Sequence, residues 1–399
     1  MNIYEYQAKE ILTQYGVLIL PGRYVTSMEE VVKASNGMKK PVLVKAQVCS
    51  GGRAKAGGVV RADDPAQLVS IASNLLGKEI TTIQSGTIKI RGIYIEDALD
   101  EIEESLYISL LLNRNNASIL LLASKSGGID IEDVAKLNPS QIVKINIDLL
   151  TGIMPFHIRK LHHSLGLQER DHDAFSNIVK TLYTILLEKD ALQIEINPLA
   201  IKRGADKAES ANFIPLDAKF TFDDFAIFRH PDLAKIRDIS SDNPIELIAA
   251  QKGLNYVDLE TQGLGCVANG SGLIMSLIDI VQSHGVSVAG FVDIGGTASD
   301  DKIREAIRLL LMDPKVSCLL INILGYVIPC DIIAEDVISA LRDVNSKIPL
   351  IIRLYGPKVD DGIAIIQKAD LDILVEPTID GAIKKTLQKM AELSLDSSR

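Results

Sequence analysis

The sequence predicts two unlike halves: an α+β half over residues 1–235, then an α/β half over residues 236–399 built on a doubly wound parallel sheet. Three observations carry that reading. Beyond residue 235, short and wholly apolar runs alternate with amphipathic stretches. Before it, strand-like runs follow one another closely, several of them joined by turn residues rather than helices. Between the halves, Phe228–Pro244 is polar and holds two prolines, the composition of a linker.

In the second half, strands are expected at Leu264–Ala268, Val288–Ile294, Val316–Leu324, Pro349–Leu354 and Leu371–Val375. Helices are expected at Gly272–Ser283, Asp300–Met312, Asp331–Val344 and Asp360–Ala369, where apolar residues recur at spacings of three and four. Strands that are apolar throughout, each followed by a helix, indicate a parallel sheet covered on both faces. Five such units make a flavodoxin-like domain. In the first half, a helix at Tyr4–Tyr15 precedes a buried strand, Pro41–Val48, and a glycine-rich loop. Strands follow at Ile88–Glu96, Leu106–Leu112 and Ser118–Ala123, the last two joined by the turn Asn113–Asn116. Helices at Ile158–Leu165 and Asp173–Leu187 lead to a long hairpin, Leu192–Lys202 with Phe213–Phe222.

Bulk properties narrow the function. The chain has 399 residues, 47% hydrophobic and 24% charged, with a net charge of −10. An acidic chain is a poor general binder of nucleic acid, whose affinity comes mostly from neutralised phosphates. Cys49, Cys266, Cys318 and Cys330 form no C-x-x-C pair, which gives neither a zinc spacing nor a disulfide framework and suits a reducing cytoplasm. The longest apolar region, near Leu309–Ile333, is broken by Asp313, Lys315, Asn322 and Pro329, so no membrane span is expected.

Two places in the first half could carry chemistry. From Lys45, at a strand end, the chain runs into Gly51-Gly52-Arg53-Ala54-Lys55-Ala56-Gly57-Gly58. Glycines let backbone N–H groups approach an anion, and the cations add charge-assisted hydrogen bonds. No G-K-[ST] opens a helix, so this is not a Walker A loop. The bland alternative is a surface hairpin with solvated cations. In the hairpin, alternation puts Gln193, Glu195 and Asn197 on one face, with Ile194 and Ile196 on the other. Asn197 and Asp217 lie equally far from Lys207, so simple pairing sets them side by side. A carboxylate plus an amide oxygen suits Mg²⁺ bridged to phosphates; the alternative is a polar wet face. His157, His162 and His163 lack the H-E-x-x-H spacing and are expected to be solvated or satisfied surface residues.

In the second half, ligands are expected at the C-terminal strand ends, namely Asn269-Gly270-Ser271-Gly272, Asp293–Thr297, Leu324-Gly325-Tyr326 and Arg353–Gly356. The glycine turns that open helices are candidate carboxylate sites. A dinucleotide loop is disfavoured, because Met275 stands where G-x-G-x-x-G needs its third glycine.

Taken together, Asn2-Ile3-Tyr4-Glu5-Tyr6-Gln7-Ala8-Lys9, the Lys45–Gly58 loop, Glu195-Ile196-Asn197-Pro198-Leu199, Leu216-Asp217-Ala218-Lys219 and Asn269-Gly270-Ser271-Gly272-Leu273 resemble the β subunit of succinate–CoA ligase, in order from Met1 to about residue 390. The resemblance implies an N-terminal ATP-grasp domain and a flavodoxin-like CoA-ligase domain. It also implies Mg²⁺, ATP/ADP or GTP/GDP, succinate and CoA, and a partner α subunit bearing a phosphorylated histidine, in a heterodimer or α2β2 tetramer. By position it assigns Lys45, Gly52, Arg53, Ala54, Glu96, Leu99 and Glu104 to the nucleotide, and Asn197 and Asp217 to the metal. Glu195 would orient the visiting phosphohistidine, and Asn269, Tyr326, Val327 and Ile328 would meet the substrate. No histidine here sits in a glycine-rich helix-opening loop, consistent with a nucleophile supplied in trans.

Several positions depart from that family pattern. Ala54 and Thr297 replace glycines, Cys49-Ser50 replaces His-Ala, and Glu96–Leu106 is one residue longer, bringing Ser105 near a usual glutamate. Tyr326 stands for Gly, Pro329 for Arg and Tyr355 for Glu, all on the substrate side. Three readings stay open from the sequence: a succinate–CoA ligase subunit, a related thiokinase for another dicarboxylate such as malate, and a nucleotide-binding scaffold subunit without turnover.

Overall fold

The computed structural model describes the chain except residues 50, 83–85, 101, 204–208, 239–242, 260, 296–299, 327, 345–347 and 397–399, and the side chains at 300 and 393–396. It divides into two compact units, Met1–Arg237 and Asp238–Arg399.

The first unit holds two main sheets. A small antiparallel sheet runs in the order Gly22–Val25, Ile93–Asp97, Val42–Ala46, Val59–Ala62. Helices Met28–Asn36 and Pro65–Leu75 pack on it around Val31, Val44, Leu68 and Ile93. Both helices start where their sequences demand: Ser27 and Glu30 form a capping box, and Asp64 accepts the Gln67 N–H at 2.9 Å ahead of Pro65. The larger sheet is antiparallel and centres on the long strand Ala191–Lys202, with Glu104–Asn113 on one side. Both Asn212–Pro215 and Ala218–Phe222 pair with its other side. Helix His172–Glu188 buries Phe175, Ile178, Val179, Leu182, Ile185 and Leu186 against this sheet, one stripe at three- and four-residue spacing.

The second unit is one sheet in the order Asn255–Asp258, Val288–Asp293, Gly263–Ala268, Val316–Leu324, Leu350–Tyr355, Ile373–Val375. All pairings are parallel except that of the first strand. Leaving that edge strand aside, the order is 2-1-3-4-5, the flavodoxin-like winding, with its switch point between Gly263–Ala268 and Val316–Leu324. Each face carries its own apolar core, one around Ile321, Ile333 and Ile352, the other around Cys266, Leu277 and Leu320.

Four expectations need correction. The run Ile88–Glu96 is two strands, Gly86–Lys89 and Ile93–Asp97, in different sheets. Between them Gly92 lies under the Tyr24 ring, where a Cβ would fall 2.3 Å from Cε2. The hairpin strand Phe213–Phe222 is interrupted at Leu216 and Asp217. The segment read as a linker contains helix Pro231–Ile236, which buries Leu233. Finally, His157 and His162 are buried rather than at the surface, though satisfied: His157 Nδ1 accepts the Met154 N–H at 3.0 Å, and His162 Nε2 lies 3.1 Å from the Gln168 carbonyl. Among the described residues no helix is long and apolar enough to cross a membrane, and no disulfide joins any of the four cysteines.

Candidate functional site

A cleft in the first unit gathers the two sequence signals. The glycine loop joins Val42–Ala46 to Val59–Ala62, and its turn needs Gly52 and Gly57 at φ +78° and +79°, where a side chain is strained. Gly58 is held by space instead, since a Cβ there would meet Ile80 Cδ1 at 2.8 Å. The loop folds back so that Arg53 becomes buried and donates from Nη1 to the Ala46 carbonyl at 2.8 Å. Its Nη2 is shared between Glu5 Oε2 and Asp217 Oδ1, the latter at 2.8 Å.

Lys45 points the same way and is also buried. Its Nζ donates to Glu5 Oε1 at 2.9 Å, Glu96 Oε2 at 2.6 Å and the Leu216 carbonyl at 2.6 Å. Lys9, one helical turn beyond Glu5, completes the arrangement with bonds to Glu5, Glu96 and the same carbonyl. Three carboxylates therefore balance three cations. Burial alone would raise the Glu5 pKa, but Arg53, Lys45 and Lys9 hold it well below the usual carboxylate range. Asp217 moves the other way, because burial and the Glu5 charge outweigh Arg53.

The hairpin supplies the facing wall. Ile194 and Ile196 are fully buried while Gln193, Glu195 and Asn197 line the cleft, as strand alternation requires. Pairing of Ile196 with Ala218 leaves Asn197 opposite Asp217, joined by a backbone bond of 3.2 Å. The Asn197 amide accepts the Gly128 N–H at 2.6 Å and donates to the Ile129 carbonyl at 3.0 Å, which orients its oxygen. Glu195 is bonded by Gln193 Nε2 at 3.0 Å. Burial, with Glu132 and Asp217 nearby, raises its pKa despite Lys219. The charged lining residues are Glu5, Asp130, Glu132, Glu195 and Asp217 against Arg53, Lys55 and Lys219, an excess of acid.

That donor set fits a magnesium ion in a specific way. Among the described residues no three His, Cys, Asp or Glu side chains form a metal cluster. Asp217 Oδ1 is engaged by Arg53 and the Ala218 N–H, while Oδ2 takes no hydrogen bond from the described residues. The Asn197 oxygen keeps a second lone pair. Two oxygens and few more is what Mg²⁺ uses when phosphates and water complete its shell.

The remaining expected nucleotide residues are distributed unevenly. Gly52 and Ala54 line the cleft. Glu96 is wholly buried beneath it as the counter-ion of Lys9 and Lys45. Leu99 packs with Leu20, Ala200, Ile214 and Leu216 in a small apolar cluster. Glu104 is exposed at the start of Glu104–Asn113. Glu5 and Lys9 were not singled out from the sequence, since a Glu–Lys pair four apart on a helix reads as a solvated surface pair. Lys55 stays at the surface on Asp130 and Asp133.

In the second unit, Asn269 ends the strand at the switch point. Its side chain accepts the Leu324 N–H at 2.9 Å and donates to the Leu324 carbonyl at 2.8 Å, locking the two strand ends together. The two glycine turns there are spanned by a carboxylate of the chain itself: Asp293 Oδ1 accepts the N–H of Gly270 at 2.9 Å and of Gly295 at 2.8 Å. Tyr326 and Tyr355 stand exposed, edge to face at 6.2 Å, with the Arg353 guanidinium 5.3 Å from the Tyr355 ring centre. Ile328 is half-buried against the core, and Val327 and Thr297 lie outside the described residues.

Comparison with known proteins agrees with this architecture. Residues 2–201 match the ATP-grasp domain family and residues 267–387 the CoA-ligase family. The succinate–CoA ligase [ADP-forming] β subunit of Rickettsia massiliae is 38% identical over 391 residues, 97% of this chain and 99% of that one. The protein of the same name from Rickettsia prowazekii is 39% identical over the same share. The ATP citrate lyase of Methanothrix soehngenii, solved with citrate and coenzyme A, superposes with a TM-score of 0.70 at 18% identity, covering 97% of this chain and 99% of that one; at that identity the likeness is one of fold. Fold and matched domains thus define a two-domain acid–thiol ligase of the ATP-grasp type. Within that class, the chain belongs to the succinate–CoA ligase β-subunit family.

Proposed function

We propose that this chain binds Mg²⁺–ATP or Mg²⁺–ADP in the first-unit cleft and works with an α subunit to interconvert succinyl-CoA, phosphate and ADP with succinate, CoA and ATP. The observation that carries the reading is the convergence of Arg53, Asn197, Asp217 and Glu195 on one cleft whose charged lining is acidic overall, with Lys45 buried behind it on Glu5 and Glu96. An acidic lining repels a bare nucleotide, so the nucleotide enters with a divalent cation that neutralises its phosphates. Asn197 and Asp217 would hold that cation, whose contribution is to offset charge on the transferring phosphoryl group.

The chain's own residues do the rest. Arg53 and Lys45, held from behind by Glu5 and Glu96, are preset for phosphate oxygens. Glu195, which lines the cleft, has a carboxyl whose raised pKa suits accepting and returning a proton at the histidine of the α subunit. Reaction in the cytoplasm fits four cysteines that no disulfide joins.

The test is the reconstituted αβ pair: CoA-dependent ADP formation is measured with succinate and with malate, and with ATP and GTP. Preference for succinate and ATP is expected. Equal use of malate would refute the substrate, and nucleotide binding without turnover would leave a scaffold subunit in its place.

A further inference from the structure

We propose that Glu5 is a positioning residue that confines Arg53 to one oxygen of Asp217, so that the other stays open to a divalent cation; this rests on the magnesium–nucleotide reading of the cleft. The geometry begins at a single atom. Arg53 Nη2 is held by two carboxylates at once, Glu5 Oε2 and Asp217 Oδ1, while Nη1 is anchored on the Ala46 carbonyl. A guanidinium closed on both oxygens of Asp217 would exclude a metal ion. With Nη2 shared with Glu5, Arg53 engages Oδ1 alone.

Glu5 is suited to that task because its position is fixed. It sits in the first turn of helix Glu5–Gln14, almost wholly buried, and Oε1 is gripped by Lys9 and Lys45, each at 2.9 Å. It remains ionised for the reason given above, so its pull on Arg53 is permanent. Neutralising Glu5 leaves Asp217 as the one carboxylate partner of Arg53 among the described residues. The guanidinium then closes on the metal ligand, and the cation must displace it. The N-terminal helix is in this way part of the phosphate-binding machinery rather than a neighbour of it.

The proposal yields a split that a general loss of structure would not produce. ADP binding to the full chain is measured by calorimetry with and without Mg²⁺ for wild type, Glu5→Gln and Lys33→Gln. In wild type, Mg²⁺ should strengthen ADP binding. In Glu5→Gln that gain should shrink about 10-fold, the size of one charge-assisted hydrogen bond, while metal-free ADP binds no more weakly because the acidic lining has lost a charge. Lys33→Gln, which removes a surface pair with Glu29, should keep the gain. Where Glu5→Gln alone does not fold, Glu5→Gln combined with Lys9→Gln restores charge balance and should show the same reduced gain. Parallel weakening with and without metal, an undiminished gain, or an equal loss in Lys33→Gln overturns the role of Glu5. Absence of any gain in wild type removes the nucleotide reading as well.

Discussion

Replacing Lys45 by methionine removes one of the two ammonium groups that separate Glu5 from Glu96. Lys45 is 3% exposed, and its Nζ serves two carboxylates and the Leu216 carbonyl. Without it, Lys9 is left to answer for Glu96 and the carbonyl and shares Glu5 with Arg53. Breaking one partner out of a buried ionic cluster costs about 3–5 kcal/mol, because the remaining charge is stranded rather than because the pair itself was strong. A second change, Glu96→Gln, removes the stranded charge and should recover more than half of the loss. The cost should also depend on pH. Glu5 has a depressed pKa in the folded chain, so its stabilisation is present above the unfolded carboxyl value of about 4.3 and fades as pH falls below it. The gap to wild type should therefore narrow as pH falls below about 4.3. Urea denaturation followed by circular dichroism, at several pH values, measures all three quantities. A loss under about 1 kcal/mol, or no recovery on adding Glu96→Gln, would refute the reading of this cluster as a balanced ionic lattice.

Three further outcomes are expected. Asp171→Asn breaks a buried two-point bond to Arg203, at 2.9 and 2.7 Å, and weakens the bond to the Ala211 N–H, so it should destabilise the first unit by about 3 kcal/mol near neutral pH. Despite burial, Arg203 depresses the Asp171 pKa, so in urea titrations that difference should be constant above about pH 5 and close as pH falls below about 4. Asn269→Ala leaves the Leu324 N–H without its acceptor, while the Leu324 carbonyl keeps the Tyr326 N–H at 2.9 Å, so it should cost the second unit about 1–3 kcal/mol by the same assay. Among the thiols, Cys49 lines the cleft and should be alkylated by iodoacetamide, more slowly with Mg²⁺–ADP present. Cys266 and Cys318 should resist until unfolding, since burial pushes both thiols up, Cys318 to about 12. Peptide mass spectrometry separates the cysteines.

The second unit was the more legible half of the fold. Its strands are apolar throughout and its helices strictly periodic, so pattern and structure differ by a residue or two, as in Gly263–Ala268 against Leu264–Ala268. Its edge strand Asn255–Asp258 was not read, being four residues long with only Tyr256 buried. The hairpin around Asn197 and Asp217 was legible because antiparallel register is fixed by symmetry about the turn. What the sequence concealed is how the charges share one another. Lys45 and Arg53 read as free cations for an anion, yet each is held by carboxylates that come from a helix some 40 residues earlier and from a strand and a break between strands some 50 to 160 residues later. No local pattern records such a pairing. The same limit hid Asp293, which spans two glycine turns that in the sequence look open to a ligand.

The central claim is that Asp217, beside Asn197 and Arg53, makes nucleotide binding depend on a divalent cation. Calorimetric titration of ADP into wild type and Asp217→Asn, each with and without Mg²⁺, tests it most directly. The expected result is a Mg²⁺-dependent gain in wild type that falls at least about 10-fold in the variant, one charge-assisted contact, with metal-free binding no weaker. An identical Mg²⁺ dependence in the two proteins would contradict it.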